Sequence, residues 1–310
     1  MTGWTAALAQ MSAILLLVGG VGVAAARALY PSGAACRAER VGWGLVLGFA
    51  LVALSEAACL STGLRPGPLP FLAVAAAAVA VGRRFSPRAA PAEPFARTEV
   101  KPLDGLLAGV AAVGVALYLL RALTEPMWSN DFLAIWGLKG KTIFEMRGLP
   151  AWLRDPALAG FSHPEYPLGL PLFYAGVASL LGRWDDHAMA LAFPFFQAAT
   201  LALLFGWLRR RGASRRLALA AAALVSLFEP LYSGFLTGMA EVPLSAAMLL
   251  LGTALSDALD ETDPGALRRL AVASVFAAAI KNEGLLVAAA AAAVAASART
   301  GAPPRGRRWR

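Results

Sequence analysis

The chain has 310 residues, of which 58% are hydrophobic and only 15% are charged, outside the usual range of soluble globular domains. Apolar runs of about 20 residues recur along it, long enough to cross a hydrocarbon core of roughly 30 Å. The net charge of +9 would suggest nucleic acid as a partner in a soluble protein. Here the arginines cluster at the ends of apolar runs, which is the positive-inside pattern. The composition therefore predicts an all-α, polytopic membrane protein and excludes a nucleic-acid partner.

Apolar length predicts about eight spans, and the positions of Lys and Arg orient them. The first run has no basic region before it, so it is interpreted as a retained span rather than a signal peptide. Cys36 and Cys59 show no metal or redox spacing. The predicted spans cover residues 5–28, 41–62, 69–82, 103–122, 187–208, 217–236, 242–257 and 270–297.

The most polar stretch of the chain, residues 124–167, lies between two predicted spans. A connection of this length is expensive to order, at roughly 1–2 kcal/mol per residue, so it predicts a working surface. The apolar piece Leu168 to Leu181 is short for a span, which favours a re-entrant or interfacial helix. If it crossed, the basic cluster 209–216 would lie outside. Loop 123–186 is therefore predicted to be extracytoplasmic.

A helix is predicted from Asp131 onward, with Ser129-Asn130-Asp131 as its N-cap. Apolar residues recur on one face, so the helix should lie flat on the membrane surface. Lys139 falls on this face, where a charge must reach toward water or meet an anion. Asp131 and Lys139 could serve a reaction between an aqueous acceptor and a lipid phosphate; the alternative for Asp131 is capping alone. The face comprises Phe132, Ile135, Trp136, Ile143 and Met146.

The segment His163-Pro-Glu165-Tyr166-Pro167 has two prolines that hold the chain extended, so a rigid hinge is its simplest role. Its histidine and glutamate could also bind a phosphate or a metal. Two possible ligands are weak evidence for a metal site, and no cofactor is predicted.

Two further sites carry charge among apolar residues. Glu241 begins a predicted span, as a helix-dipole partner or as a functional group facing the same side as Asp131. Lys281-Asn282-Glu283-Gly284 interrupts the last apolar segment, where opposite charges are expensive even when paired. Either one long tilted helix carries them at mid-depth or a broken helix presents them.

In order along the chain, Asp131 to Lys139, His163 to Pro171, Ala240 to Leu244 and Lys281 to Gly284 resemble the motifs of GT-C type glycosyltransferases. The closest type is the bacterial integral-membrane branch related to protein O-mannosyltransferases and lipid A aminoarabinose transferases. The resemblance covers roughly residues 103–298. The resemblance divides the chain into three parts. Residues 1–102 are expected to be a three-span extension with a basic cytoplasmic linker, residues 103–298 a GT-C-like core, and residues 299–310 a basic tail.

The resemblance implies a bacterial inner-membrane enzyme with an extracytoplasmic active site and a polyprenyl-phosphate sugar donor. Asp131 corresponds to the family's essential acidic residue, and Glu241 to a second acidic site. Donor-phosphate binding falls to the residues of the two remaining motifs and the amphipathic helix. Three spans before the core and a short C-terminus depart from the family and suggest a partner subunit. The expected binding residues are Lys139, His163, Glu165, Tyr166, Lys281, Asn282 and Glu283.

Two rival interpretations remain. A transporter or flippase of lipid-linked sugars would use Lys281 and Glu283 to line a path through the membrane. A non-catalytic membrane subunit would keep the transferase fold without its activity. The sugar and its acceptor are left open by the sequence.

Overall fold

The computed structural model describes residues 3–29, 37–84, 101–155, 160–260 and 265–300. These residues form helices and turns, without a strand among them, which confirms the all-α prediction. Cys36, the linker 85–100 and the end of the basic tail lie outside the described residues. The α-helices are α1 (Gly3–Leu29), α2 (Arg37–Thr62), α3 (Pro68–Arg84), α4 (Pro102–Thr124), α5 (Gly137–Met146), α6 (Gly169–Leu181), α7 (Asp186–Ala190), α8 (Ala192–Arg210), α9 (Arg215–Ser226), α10 (Glu241–Leu259), α11 (Ala266–Ile280) and α12 (Asn282–Thr300).

Five helical stretches are long and apolar enough to cross a membrane, which supports the multi-pass prediction. The predicted count of about eight spans is not confirmed by the described residues, in which several predicted spans form shorter helices. α3 has 17 residues, α9 has 12 and α11 has 15. The five stretches are Thr5–Leu29, Arg37–Thr62, Pro102–Thr124, Asp186–Arg210 and Glu241–Leu259.

The predicted span over residues 217–236 is wrong in its second half. α9 ends at Ser226, and residues 227–240 form a series of turns. Pro230 lacks the N–H that a continuing helix would use, and Gly238 adopts a positive φ of 94°. These turns lead directly into the first residue of α10, Glu241.

Helix α2 lies at the centre of the packing, against α1, α6 and α8. Glycines let α1 approach it closely, since a Cβ at Gly44 would lie 2.6 Å from the Cα of Val23. α6 runs beside the second half of α2 in the same chain direction: the Phe49 and Phe173 rings are 5.2 Å apart, and Gly176 packs on Val52. Helices α1 and α2 are therefore built into the same core as the helices that follow residue 102.

The bundle has two chemically different ends. At the basic end α8 and α10 finish, with Arg210 and Asp257 side by side. At the loop end α4 finishes and α10 begins, at Glu241. Asp257 and Glu241 are both on α10, and a rise of 1.5 Å per residue separates them by about 24 Å.

Candidate functional site

Glu241 and Lys281 form an ion pair at the loop end. Lys281 Nζ donates to Glu241 Oε1 at 2.8 Å and lies 3.4 Å from Glu283 Oε1. The lysine side chain is 15% exposed and that of Glu241 31%. Two of the singled-out motifs, far apart in the chain, therefore meet, and the three charges sum to −1.

The helix is broken at Lys281, which decides between the two arrangements expected for this segment. Lys281 is extended, with φ −157° and ψ 156°, between the end of α11 and Asn282, the first residue of α12. Gly284 makes the close turn possible, because a Cβ there would collide with the carbonyl of Ala277. Both helices pack on α10, and so the break holds its lysine against the start of that helix.

The polar loop docks on the turn that precedes Glu241. Tyr174 Oη donates to the Gly238 carbonyl at 2.8 Å, and the Phe132 ring meets the Tyr174 ring edge-on at 5.6 Å. A Cβ at Gly238 would lie 3.0 Å from Phe132 and from the Met127 sulfur. Residues 127–132 and Glu241 therefore belong to the same end of the molecule.

Asp131 is placed in this region, but it does not cap the helix as expected. The cap is buried Ser129, whose Oγ accepts from the Phe132 backbone N–H at 3.3 Å. Asp131 already has helical angles, φ −66° and ψ −37°, and makes no side-chain cap hydrogen bond. Within the described part of the chain, no hydrogen bond or ion pair engages its half-buried carboxylate. The π-helix Phe132–Trp136, a rare form often found at functional sites, follows directly.

The apolar face predicted to lie on lipid instead packs against protein. Ile135, Trp136 and Ile143 are buried, whereas Met146 is 59% exposed. α5 packs on α6, and a Cβ at Gly140 would lie 2.8 Å from that of Tyr174. The physical reason is that α6 supplies an apolar surface of its own, so the helix covers a neighbour rather than the membrane.

Lys139 on this face is completely buried. Its Nζ donates to the His163 carbonyl oxygen at 2.6 Å and lies 6.0 Å from the centre of the Trp136 ring. Burial lowers the pKa of Lys139 to about 8, although the nearby Glu165 carboxylate opposes this change. The amine does not reach water; it interacts with the Glu165 carboxylate, as one of the two expectations had it, but its hydrogen bond goes to a backbone carbonyl, with two N–H donors to spare.

The His163 motif forms a stack of aromatic rings and a contact between His163 and Glu165. The His163 and Tyr166 rings stack at 4.8 Å, and Tyr166 stacks on Trp136 at 5.3 Å. His163 has a φ of 50°, uncommon for a residue other than glycine, and its Nδ1 lies 2.9 Å from Glu165 Oε1. Hydrogen bonds from the Glu165 backbone and from His163 lower the pKa of the Glu165 carboxyl.

Two buried donors beside this stack have no hydrogen-bond partner among the residues that the structure describes. They are Trp136 Nε1 and Ser162 Oγ, on the contacting segments Phe132–Trp136 and Gly160–Ser162. An unpaired buried polar group costs about 1–3 kcal/mol. Ser162 precedes His163, whose carbonyl accepts from Lys139, and the Trp136 ring lies 6.0 Å from the same amine. The three donors therefore belong to neighbouring parts of the polar loop.

An apolar cavity of about 650 Å³ includes in its lining residues that adjoin two of the polar motifs in the chain. α2, α6 and α11 form most of its wall. Leu168 and Gly169, just after the His163 motif, and Ala279 and Ile280, just before Lys281, also line it. A Cβ at Gly169 would collide with the carbonyl of Ala279, so the two segments touch backbone to backbone. Because its lining is apolar, the cavity suits a hydrocarbon chain.

A second charged cluster lies at the basic end and was missed by sequence reasoning. Arg210 donates to Glu39 at 2.8 Å and to Asp257 at 2.7 Å, and Arg269 donates to Asp257 at 3.1 Å. Glu39 and Arg269 are fully buried. The four charges cancel and join α2, α8, α10 and α11. The sequence signal that could have revealed this cluster is the presence of acidic residues within otherwise apolar helices.

Within the described residues, no group of three or more His, Cys, Asp or Glu side chains could hold a metal ion. In comparisons with known proteins, no family model, curated protein or solved structure matches this chain.

Proposed function

We propose that this protein is a membrane glycosyltransferase that moves one sugar from a polyprenyl-phosphate-linked donor to an acceptor at the extracytoplasmic face. The observation that carries this proposal is an apolar cavity whose lining includes Ile280, the residue next to Lys281 in the charged cluster at the loop end. A lipid-linked sugar has the same two parts, a long hydrocarbon chain and a charged head. By the positive-inside rule, the basic end faces the cytoplasm of a bacterial inner membrane, and the loop end faces away from it.

Asp131 is the proposed general base. Its carboxylate has no competing partner within the described residues, so it is free to take the proton of an acceptor hydroxyl. The acceptor oxygen then bonds to the anomeric carbon, and the bond from that carbon to the phosphate oxygen breaks. The electron pair leaves with the phosphate, which departs as an anion. A single carboxylate base is enough for a transfer that inverts the anomeric centre.

Lys139 is the proposed partner of the leaving phosphate. Its ammonium is desolvated and has donors to spare, and a charge in such a site stabilises an anion more strongly than in water. The unpaired donors of Trp136 and Ser162 would add hydrogen bonds at the same place. Lys281 is less suited, because Glu241 and Glu283 already neutralise it.

Glu241 and the ring stack are assigned to positioning. Glu241 Oε2 is buried and has no hydrogen-bond partner in the described parts of the chain, while Oε1 accepts from Lys281. This spare oxygen can accept a hydrogen bond from a sugar or acceptor hydroxyl. The stacked rings of His163, Tyr166 and Trp136 offer an apolar surface against which one face of a sugar can pack.

The experiment is a transfer assay with purified protein in lipid vesicles that contain polyprenyl-phosphate sugars, with Asp131→Asn as the test. We expect a loss of about 10²–10⁴-fold, the range for a general base. Glu145→Gln, an exposed acid on α5 whose weak pair with Lys141 spans 3.9 Å, is the matched control and should keep its activity. Transfer that survives in Asp131→Asn would remove this mechanism. Transfer by the purified chain alone would also exclude a partner-dependent, non-catalytic subunit.

The broken helix at Lys281 favours a second candidate, a flippase or transporter of lipid-linked sugars. Interrupted helices that present charge among apolar segments are common in transporters. Flipping of a labelled lipid-linked sugar that survives in Asp131→Asn and is lost in Lys281→Ala would support this candidate over the transferase.

A further inference from the structure

A buried carboxyl on α2 takes no part in the proposed transfer. Glu56 is 2% exposed and lies within the candidate span Arg37–Thr62. Its partner is a hydroxyl on α6: Ser179 Oγ donates to Glu56 Oε2 at 3.1 Å. Within the part of the chain that the structure describes, no lysine, arginine or histidine forms an ion pair with it. An ionisable group inside a span is a candidate functional site by default.

Glu39 on the same helix provides a direct comparison. It is equally buried, about 26 Å away along α2, and two guanidinium nitrogens of Arg210 donate to it at 2.8 Å each. The guanidinium compensates the charge of the Glu39 carboxylate. Glu56 receives one neutral hydroxyl donor instead. Removing a carboxylate from water without a counter-charge is so costly that such a group takes up a proton.

The surroundings of Glu56 supply no such counter-charge. α1, α3, α6, α8 and α10 pack on α2. Gln10 of α1 packs at the end of α6: its amide donates to the Leu181 carbonyl and accepts from Arg183. Arg183 itself forms an ion pair with Asp185 at 3.1 Å. Cys59, one turn further along α2, is buried and neutral as a thiol. The charged groups of the packed helices lie toward helix ends, and within the described residues none forms an ion pair with Glu56: Arg27 on α1, Arg83 and Arg84 on α3, Arg209 and Arg210 on α8, and Glu241 and Asp257 on α10.

We propose that Glu56 is a proton-binding site. At neutral pH it is an un-ionised carboxylic acid that bridges α2 and α6 through Ser179. Loss of the proton places an uncompensated charge between the two helices. The ligand is thus a proton, and the element that responds is α6, which carries Tyr174 and lines the cavity. The proposal does not depend on the proposed transfer reaction.

The test uses the full chain in detergent at pH 7 and the apolar reagent N,N′-dicyclohexylcarbodiimide, which modifies protonated carboxyls. The carboxyl oxygen bonds to the carbodiimide carbon while the acid proton moves to a nitrogen; the adduct then rearranges to a stable N-acylurea, and nothing is released. Peptide mass spectrometry measures the modified fraction. We expect the modified fraction of Glu56 to be at least about tenfold that of Glu39, and to fall as pH rises.

A second measurement keeps the proposal testable if the reagent does not reach the site. Infrared spectra should contain the carbonyl stretch of a protonated carboxyl that is lost in Glu56→Gln, a neutral variant of the same shape. Equal labelling of Glu39 and Glu56, or absence of both the labelling and this band, would overturn the proposal. Asp131→Asn should leave both signals unchanged, so a failure of the transferase mechanism would not be mistaken for a failure here.

Discussion

The two ends of the bundle use the same kinds of side chain in opposite ways. At the basic end, Glu39, Arg210, Asp257 and Arg269 form a network of ion pairs whose four charges cancel. At the loop end, Lys281 is shared between two carboxylates, the hydrogen bond of Lys139 goes to a carbonyl oxygen, and Asp131 makes no side-chain cap bond. Matched ion pairs join helices, whereas an excess of carboxylates or a lysine bonded to a neutral group leaves charge for a ligand. We therefore expect the basic end to stabilise the fold and assign the proposed chemistry to the loop end.

Breaking the ion-pair network at the basic end should have the largest effect on stability. Asp257→Asn removes the carboxylate to which both Arg210 and Arg269 donate, one of the two acids that balance their charge. We expect a loss of about 3–5 kcal/mol in the free energy of unfolding, measured by denaturant titration in detergent. Asp260→Asn, in the exposed pair with Arg211, is the control and should cost less than about 1 kcal/mol. Equal losses in the two variants would contradict the structural role.

A smaller loss of stability should follow from tightening the contact between α6 and α11 at the cavity wall. Gly169→Ala places a methyl group against the backbone of Ala279, where it forces α6 and α11 apart. Overpacking of this kind costs about 1–3 kcal/mol, and we expect a matching fall in the midpoint of unfolding. Gly252→Ala, in a helix with open space around it, should be neutral or stabilising. A Gly169→Ala protein as stable as the parent would mean that the two backbones do not touch.

The pH dependence of transfer should sharpen the contrast at the loop end. With a pKa of about 8, Lys139 is mostly cationic at pH 7 and mostly neutral at pH 9. Because the cation is the form that stabilises the leaving phosphate, the rate should fall as pH rises through about 8, by up to about tenfold per unit. Lys139→Arg keeps its charge and should not show this fall. Equal profiles for the two proteins would assign the titration to another group.

The helices were predictable where apolar length decides them. The predicted spans 5–28, 41–62, 103–122 and 242–257 each agree with a described helix to within a few residues at either end. Such runs form helices because a membrane leaves backbone groups no other partners. Residues 217–236 failed because their apolar composition concealed Pro230 and a turn at Gly238. Composition does not by itself reveal where a helix stops.

The site could be predicted only as a set of motifs. The sequence singled out Glu241 and Lys281, but their pairing depends on how α10 and α11 pack. Lys139 was expected to meet water or an anion, and its actual partner is a backbone carbonyl placed by the unusual φ of His163. The basic-end network was missed because Glu39 and Arg210 are 171 positions apart. Contacts between distant segments are set by tertiary packing, which local patterns do not report.

The break between α11 and α12 is one extended residue long, and that residue is Lys281. Because a one-residue connection cannot move independently of the helices it joins, the position of the Lys281 backbone follows that of the two helix ends. A partner, lipid or substitution that tilts α12 would lengthen or shorten the reach of Lys281 toward Glu241. A movement of α12 would therefore change how strongly Lys281 compensates the carboxylates at the loop end.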